Sequence, residues 1–176
     1  RVASAIQSQF PILKRRLPNV WSHLKSWRHL EPPSCVTPIS EDILFLILLV
    51  LMLSGNAAGA LCLWIIWEGW LRSHEVFLLQ VRHVRFERLD SGIVKPPVVL
   101  LLGKTKASVR KQTFEFVELH NFWLCQFLVA YVMARAQRLG WHAPLFSFSL
   151  VQLRAWFHRA TTVARLSHLH LQLYSL

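Results

Sequence analysis

Two apolar runs separated by three turn-forming residues constrain the fold of this chain more than any other feature. The first run is Ile43 to Leu53, the second is Ala57 to Trp67, and neither contains a charged residue. Ser54-Gly55-Asn56 lies between them and is typical of a turn between two helices. Each run has about half of the roughly 20 residues that a membrane-spanning helix needs. We therefore predict a helical hairpin, Ser40 to Leu53 and Ala57 to Glu68, with both helices buried on almost all sides.

The composition favours a polyanionic partner. The chain has 176 residues, 53% of them hydrophobic, which is enough for one domain with a sizeable core, or for one domain and part of a neighbouring one. The net charge of +11 and the pI of about 10.6 are typical of proteins that bind nucleic acid or an anionic membrane surface. Basic residues flank both sides of the hairpin, without the asymmetry that orients membrane proteins. We therefore expect no membrane partner, and a small basic helical membrane protein with a segment within 43–67 is the alternative to a buried hairpin.

The N-terminal part of the chain is predicted to be a separate helical piece. Residues 1–31 alternate apolar and basic residues at helical spacing, and Pro11 and Pro18 divide them into short helices. Consecutive prolines at Pro32 and Pro33 exclude helix, so residues 32–37 are predicted to be a linker to a second domain, 38–176. A basic face of the first piece fits either DNA binding or a solvated surface, and its residues are Lys14, Arg15, Arg16, Lys25 and Arg28.

The second domain is predicted to be α+β and mainly helical. A short helix from Ser73 to about Gln80 follows the hairpin, and the pattern then changes to the period of two that is typical of strands. Three segments are predicted to form a small antiparallel sheet: Val84–Leu89, Val98–Leu102 and Thr113–Leu119. Two further helices are predicted from their polar N-cap residues, one from Asn121 to Leu139 and one from Ser149 to about Arg165.

No metal or cofactor site is indicated by the sequence. His168 and His170 are spaced as metal ligands can be, but the sequence places no third ligand with them. We therefore expect both to be exposed histidines without a metal. The cysteines, Cys35, Cys62 and Cys125, are dispersed and form no Cys-x-x-Cys motif, which indicates reduced thiols. We therefore expect no metal and no cofactor.

The segment Gly69-Trp70-Leu71-Arg72-Ser73-His74-Glu75-Val76 carries the candidate chemistry. Arg72 stands at a helix start with Glu75 one turn later, so the two side chains can form an ordinary i,i+3 ion pair, or the guanidinium can hold a phosphate. The segment resembles the Gly-Leu-Arg-x-x-Glu-Leu turn that carries the first catalytic arginine of the tyrosine recombinase (phage integrase) family. In this chain Trp70 replaces the usual glycine before Leu71. The resemblance implies that Arg72 is that arginine and that Glu75 orients it.

Two further landmarks extend the resemblance. In the family, a lysine on the hairpin between the second and third strands acts as a general acid or contacts a base beside the scissile phosphate. Gly103-Lys104-Thr105-Lys106 falls at that place, and the resemblance implies Lys104, with Lys106 as the second choice. The family's second arginine lies in a His-x-x-Arg box. Tyr174-Ser175-Leu176 resembles the variant of the box that begins with tyrosine, and the arginine would follow Leu176.

The resemblance implies a DNA-binding fragment of a site-specific tyrosine recombinase or integrase, derived from a mobile element. In that family a tyrosine attacks a DNA phosphate, and two arginines stabilise the developing charge without a metal. The implied partner is duplex DNA, with oligomers on DNA for the full-length protein and a nuclear or nucleoid location. Because the second arginine and the nucleophilic tyrosine would both follow Leu176, we expect residues 1–176 to be catalytically incomplete. A non-catalytic DNA-binding module is the other alternative.

Overall fold

The computed structural model describes residues 39–102, 115–169 and 171, which all belong to the compact unit Thr37–Leu176. The predicted helical piece 1–31 and the linker 32–37 lie outside the described residues, and so do the basic residues predicted there. Lys104, Lys106 and Tyr174 also lie outside them. The roles that the sequence implies for all of these residues stay predictions.

The described residues form an α+β structure that is mainly helical, with five α-helices and one three-stranded antiparallel sheet. The helices are α1 (Glu41–Leu53), α2 (Ala57–Glu68), α3 (Ser73–Phe77), α4 (Phe122–Leu139) and α5 (Leu150–Val163). The strands, which follow α3 and precede α4, are β1 (Val84–Arg88), β2 (Val94–Leu102) and β3 (Glu115–Leu119). Short 3-10 turns occupy Val81–His83 and Ser167–Leu169.

The sheet has the order β1-β2-β3, and one of its faces packs against α4. Val94, Val98 and Leu100 point to the buried face and alternate with more exposed residues. Gln126 of α4 accepts a hydrogen bond from the main-chain N–H of Val94 (3.1 Å) and donates one to its carbonyl (2.8 Å). These two bonds fix α4 on the sheet at the start of β2.

The second strand begins four residues earlier than the sequence pattern predicted. The predicted strand starts at Val98, and the residues that the structure adds before it include Pro96 and Pro97, which strand interiors usually exclude. In the structure, Arg85 pairs with Val99 and Glu87 pairs with Lys95, so the two prolines lie where the β1–β2 register shifts. An irregularity of this kind accommodates prolines, because the ladder hydrogen bonds are interrupted there in any case.

The helix α3 is shorter than predicted. It ends at Phe77, and Gln80, the predicted last residue, has an extended backbone. Gln80 forms an isolated bridge with Pro144, and the carbonyl of Leu79 accepts a hydrogen bond from the N–H of Leu145. These bonds to the α4–α5 connection replace the helical bonds that a longer α3 would make.

The predicted caps and bounds of the other helices agree closely with the structure. α2 has the predicted bounds. Asn121 caps α4 by accepting a hydrogen bond from the N–H of Leu124, and Ser149 caps α5 by accepting one from Gln152. Ser40 precedes α1 as predicted, but its side chain makes no capping bond.

The hairpin prediction is correct for α2 and wrong for the burial of α1. Every residue from Gly59 to Ile66 is buried in α2. In α1, by contrast, the buried residues lie along one face, with Leu44 fully buried, while the opposite face is exposed, with Leu49 at 52% and Leu53 at 80%. The apolar run predicted that α1 is buried on almost all sides, but the part of the chain that the structure describes packs against one face of α1 only. Within the described residues, no helix is both long enough and apolar enough to cross a membrane.

The two faces of α1 predict very different costs for the same substitution. Leu44→Ala removes a fully buried side chain and should lower the free energy of unfolding by about 2–5 kcal/mol. Leu49→Ala removes an exposed side chain from the same helix and should change it by no more than about 0.5 kcal/mol. Urea unfolding of the two variants measures both values. An equal loss for the two variants would contradict the open face of α1.

Candidate functional site

The turn that carries Arg72 begins with a tight helix ending. At the end of α2, the N–H of Trp70 bonds to the carbonyl of Trp67 (3.3 Å), and the N–H of Leu71 bonds to the carbonyl of Ile66 (3.1 Å). This pair of bonds is the Schellman motif, in which the first residue after the cap adopts the left-handed conformation. Trp70 has φ 49°, and Leu71 is buried against the core. The chain therefore leaves α2 along a fixed path.

Gly69 allows close packing at the end of α2, and Trp70 adopts the left-handed conformation. Gly69 has an ordinary φ of −87°, but a Cβ there would lie 3.0 Å from the carbonyl oxygen of Ile65 and 3.1 Å from Cγ1 of Val117. A side chain at position 69 would thus make a tight contact with Val117, which glycine avoids, while the left-handed conformation falls on Trp70. An L-residue pays for that conformation with about 1–2 kcal/mol. The side chain of Trp70 is 92% exposed, so little packing offsets the cost.

Glu75 holds the main chain of Arg72. The N–H of Arg72 donates to Oε2 of Glu75 (2.8 Å), and the N–H of Glu75 donates to the carbonyl of Arg72 (2.9 Å). Among the described residues, no ion pair joins the Arg72 guanidinium to the Glu75 carboxylate. The simple ion pair that the sequence allows is thus replaced by a reciprocal cap of α3. It fixes the backbone of Arg72 and leaves its side chain exposed.

Contacts on both sides anchor this turn to the rest of the domain. Oε1 of Glu68 accepts a hydrogen bond from the N–H of Asn121 (3.2 Å), which ties the end of α2 to the start of α4. On the other side, Val76 is fully buried, and the ring of Phe77 packs edge-on against Phe148 at 5.7 Å. The position of Arg72 is therefore set by α2, α4 and the segment before α5.

His83 closes the connection between α3 and the sheet, and its charge state matters there. Its Nδ1 accepts a hydrogen bond from the N–H of Gln80 (3.2 Å), which requires a neutral ring. Burial lowers the pKa of His83, and the positive charges of Arg82 and Arg85 lower it further. The neutral, hydrogen-bonded form is therefore the one that the fold favours.

The positive charge is distributed unevenly along the chain. Ten of the twenty basic residues and eight of the nine acidic residues lie in the described ranges, which leaves those ranges with a net charge of +2. The other ten basic residues and one acidic residue account for the remaining +9, and they fall in segments 1–38 and 103–114. Most of the charge that would attract a polyanion therefore belongs to those two segments, which contain the basic residues predicted to bind DNA.

The described residues hold no cluster of three or more histidine, cysteine or acidic side chains suited to a metal ion. His168 is exposed, and its Nδ1 is 3.1 Å from the carbonyl of Arg165. Cys62 and Cys125 are buried free thiols, and burial raises the pKa of both. A buried thiol with a raised pKa is a poor nucleophile at neutral pH.

Comparison with known proteins adds no relative to this description. No protein-family model, curated protein or solved structure matches the chain.

Replacing Trp70 by glycine should stabilise the protein. Trp70→Gly places the residue that tolerates positive φ at the left-handed position, and it removes a side chain that is almost fully exposed. We expect the free energy of unfolding to rise by about 0.5–1 kcal/mol. The matched control is Trp141→Gly, which removes another exposed tryptophan at a position without positive φ and should not stabilise the protein. A loss of stability in Trp70→Gly would show that the indole makes contacts that outweigh the backbone cost.

Stability should fall as the pH drops below the ordinary pKa of histidine, in part because of His83. Its pKa is lowered in the folded state, so below about pH 6.5 the unfolded chain binds the proton more readily. The contribution is complete above pH 6.5 and is lost as the pH falls through the folded pKa. Urea unfolding at pH 7.5 and pH 5.5 measures the loss. His83→Asn, which keeps an acceptor for the N–H of Gln80, should reduce it, and an unchanged pH dependence would contradict the assignment.

Proposed function

We propose that this chain is a DNA-binding part of a site-specific DNA breaking and rejoining protein of the tyrosine recombinase type. In this proposal Arg72 contacts a DNA phosphate, Glu75 holds Arg72 in place, and Lys104 contributes the hairpin lysine. The observation that carries the proposal is the backbone of Arg72, which is fixed from both sides while its side chain stays exposed. An ordered backbone holds the base of the side chain in place, and the exposed guanidinium is then available to contact a phosphate.

The order of elements supports the proposal. Two helices, a turn bearing an arginine, three antiparallel strands and two further helices follow one another, and this order resembles the family's catalytic domain. β2 and β3 are antiparallel neighbours, so Lys104 belongs to the segment that connects two adjacent strands, as the family's lysine does.

The backbone at Trp70 is a second support. The family motif has a glycine directly before Leu-Arg, and Trp70 takes that place in this chain. Its positive φ is the conformation that glycine favours most. The turn therefore keeps a backbone that suits the family's glycine, although the residue itself has changed.

The chemistry implied by the resemblance is electrostatic for Arg72. A phosphate that is attacked by an oxygen nucleophile develops extra negative charge, and a guanidinium can pair two of its oxygens through parallel N–H groups. Arg72 would supply that pairing. Lys104 would donate a proton to the leaving oxygen or contact a neighbouring base, as the resemblance implies.

The proposal predicts salt-dependent binding of duplex DNA with a specific contribution from Arg72. Binding measured by fluorescence anisotropy on a labelled duplex should weaken with salt, with a slope of log K against log salt of about −0.9 for each phosphate contact. Arg72→Gln should make the slope less steep by about one contact. Arg72→Lys keeps the charge, so it should keep most of the slope and still bind more weakly than the wild type, because the planar fork is lost.

The control is Arg159→Gln, which removes an exposed arginine from α5 with the same change of net charge. Its effect on the slope should be smaller than that of Arg72→Gln. Equal effects would refute the special position of Arg72 and favour a non-catalytic DNA-binding module. No binding at low salt would refute DNA binding altogether.

A further inference from the structure

The indole of Trp70 is the most exposed large apolar side chain that the structure describes. Trp70 is 92% exposed, whereas Trp141 is 48% exposed, and Trp123, at 63%, packs edge-on against Phe122 at 5.3 Å. Both faces of the Trp70 ring are therefore open to solvent. An open indole face is a surface on which another flat ring can stack.

The backbone holds this indole in a conformation that is unfavourable for tryptophan. Trp70 has φ 49°, in the left-handed region that glycine favours. Its backbone is fixed there, because its N–H bonds to the carbonyl of Trp67 and the next residue, Leu71, is buried. Residues held in unfavourable backbone regions cluster at functional sites. The sequence thus keeps a large exposed ring at a position where the fold alone favours glycine.

Trp70 and Arg72 lie on either side of a buried leucine. Leu71 is 6% exposed, while the side chains before and after it are exposed, so those two side chains project from the same surface. Two residues of chain span no more than about 7 Å. An indole and a guanidinium that begin this close together can contact the base and the phosphate of neighbouring nucleotides.

The two glutamates that flank this pair in sequence are hydrogen-bonded to the main chain. Glu75 accepts from the N–H of Arg72 (2.8 Å), and Glu68 accepts from the N–H of Asn121 (3.2 Å). Among the described residues, neither glutamate forms an ion pair with Arg72. A nucleobase carries no charge, so its stacking on Trp70 does not depend on the net charge of the turn.

An exposed indole selects the kind of DNA that can use it. A base inside a continuous duplex presents only its edges to the grooves, because the neighbouring bases cover its faces. An indole can stack only on a base whose face is open, as in a single strand or at an unpaired nucleotide. Proteins that bind such bases combine aromatic side chains for stacking with cationic side chains for the backbone phosphates.

We propose that Trp70 stacks on an unstacked DNA base beside the phosphate that Arg72 contacts, so that the preferred ligand is DNA with an unpaired base rather than a continuous duplex. This inference rests on the proposed function, because it takes DNA as the partner. It adds the class of DNA and a second contact residue in the same turn.

The test uses the full chain and fluorescence anisotropy with labelled DNA of three kinds. These are a continuous duplex, the same duplex with one unpaired adenine, and that second duplex with an abasic site in place of the adenine. The wild type should bind the DNA with the unpaired adenine about fivefold or more tightly than either of the others, as expected for one stacked base. The abasic DNA has the same charge and the same interrupted helix, so it isolates the contribution of stacking.

Substitutions at position 70 separate the ring from the backbone. Trp70→Gly should abolish the preference for the unpaired adenine, and Trp70→Phe should keep most of it, because a phenyl ring also stacks. Since Trp70→Gly is expected to be more stable than the wild type, unfolding cannot explain its loss of preference. The matched control is Trp141→Gly, which removes another exposed tryptophan and should keep the full preference.

Three results would overturn the inference and leave the proposed function standing. The first is equal affinity of the wild type for the continuous duplex and the duplex with the unpaired adenine. The second is a preference that the abasic DNA shares, since a flexible backbone would then be recognised instead of a base. The third is a preference that Trp70→Gly retains. No binding to any of the three DNAs, even at low salt, would refute both the inference and the proposed function.

Discussion

The burial of α2 on all sides is the constraint on which the rest of this structure depends. A helix that is apolar around its whole circumference needs partners in every direction, and here α1, α4 and α5 provide them. Close approach is possible because Gly59 lies under the ring of Trp156, where a Cβ would be 2.9 Å from the ring, and because Gly69 lies against Val117. Small residues near both ends of α2 thus let α5 and β3 come within contact of its backbone.

The geometry around Arg72 follows from that packing. Gly69, the cap residue, lies against Val117 of β3, and the left-handed residue that follows it is an exposed tryptophan. The next residue, Leu71, returns to the core, and Arg72 then starts α3 with its backbone held by Glu75. The exposed guanidinium is consequently fixed at its base by the same contacts that bury α2. The phosphate contact proposed for Arg72 would begin from an ordered backbone and would lose only side-chain entropy.

The sequence predicted the elements whose signals are local, and it failed where distant partners decide. The bounds of α2 and the caps of α4 and α5 depend on Asn121, Ser149 and the residues directly beside them. The length of α3 depends on the pairing of Gln80 with Pro144. The exposure of one face of α1 depends on how many elements pack against that helix. Local periodicity predicts neither the length of α3 nor the exposed face of α1. The reciprocal bond of Glu75 to the backbone of Arg72 was open to prediction, since a glutamate three residues after a helix start is a known capping pattern. The ion pair predicted as one possibility involves only the side chains of Arg72 and Glu75. Lys104 and Tyr174 stay predictions because they lie outside the described residues.

The positive charge and the exposed apolar side chains lie in different parts of the chain. The described residues have a net charge of +2 and expose apolar side chains such as Leu53 and Trp123, whereas segments 1–38 and 103–114 carry most of the positive charge. Long-range attraction to any polyanion therefore comes mainly from those segments, while discrimination between partners must come from the folded part. Nucleic acid offers no large apolar surface, so it can use Arg72 but cannot cover Leu53 and Trp123.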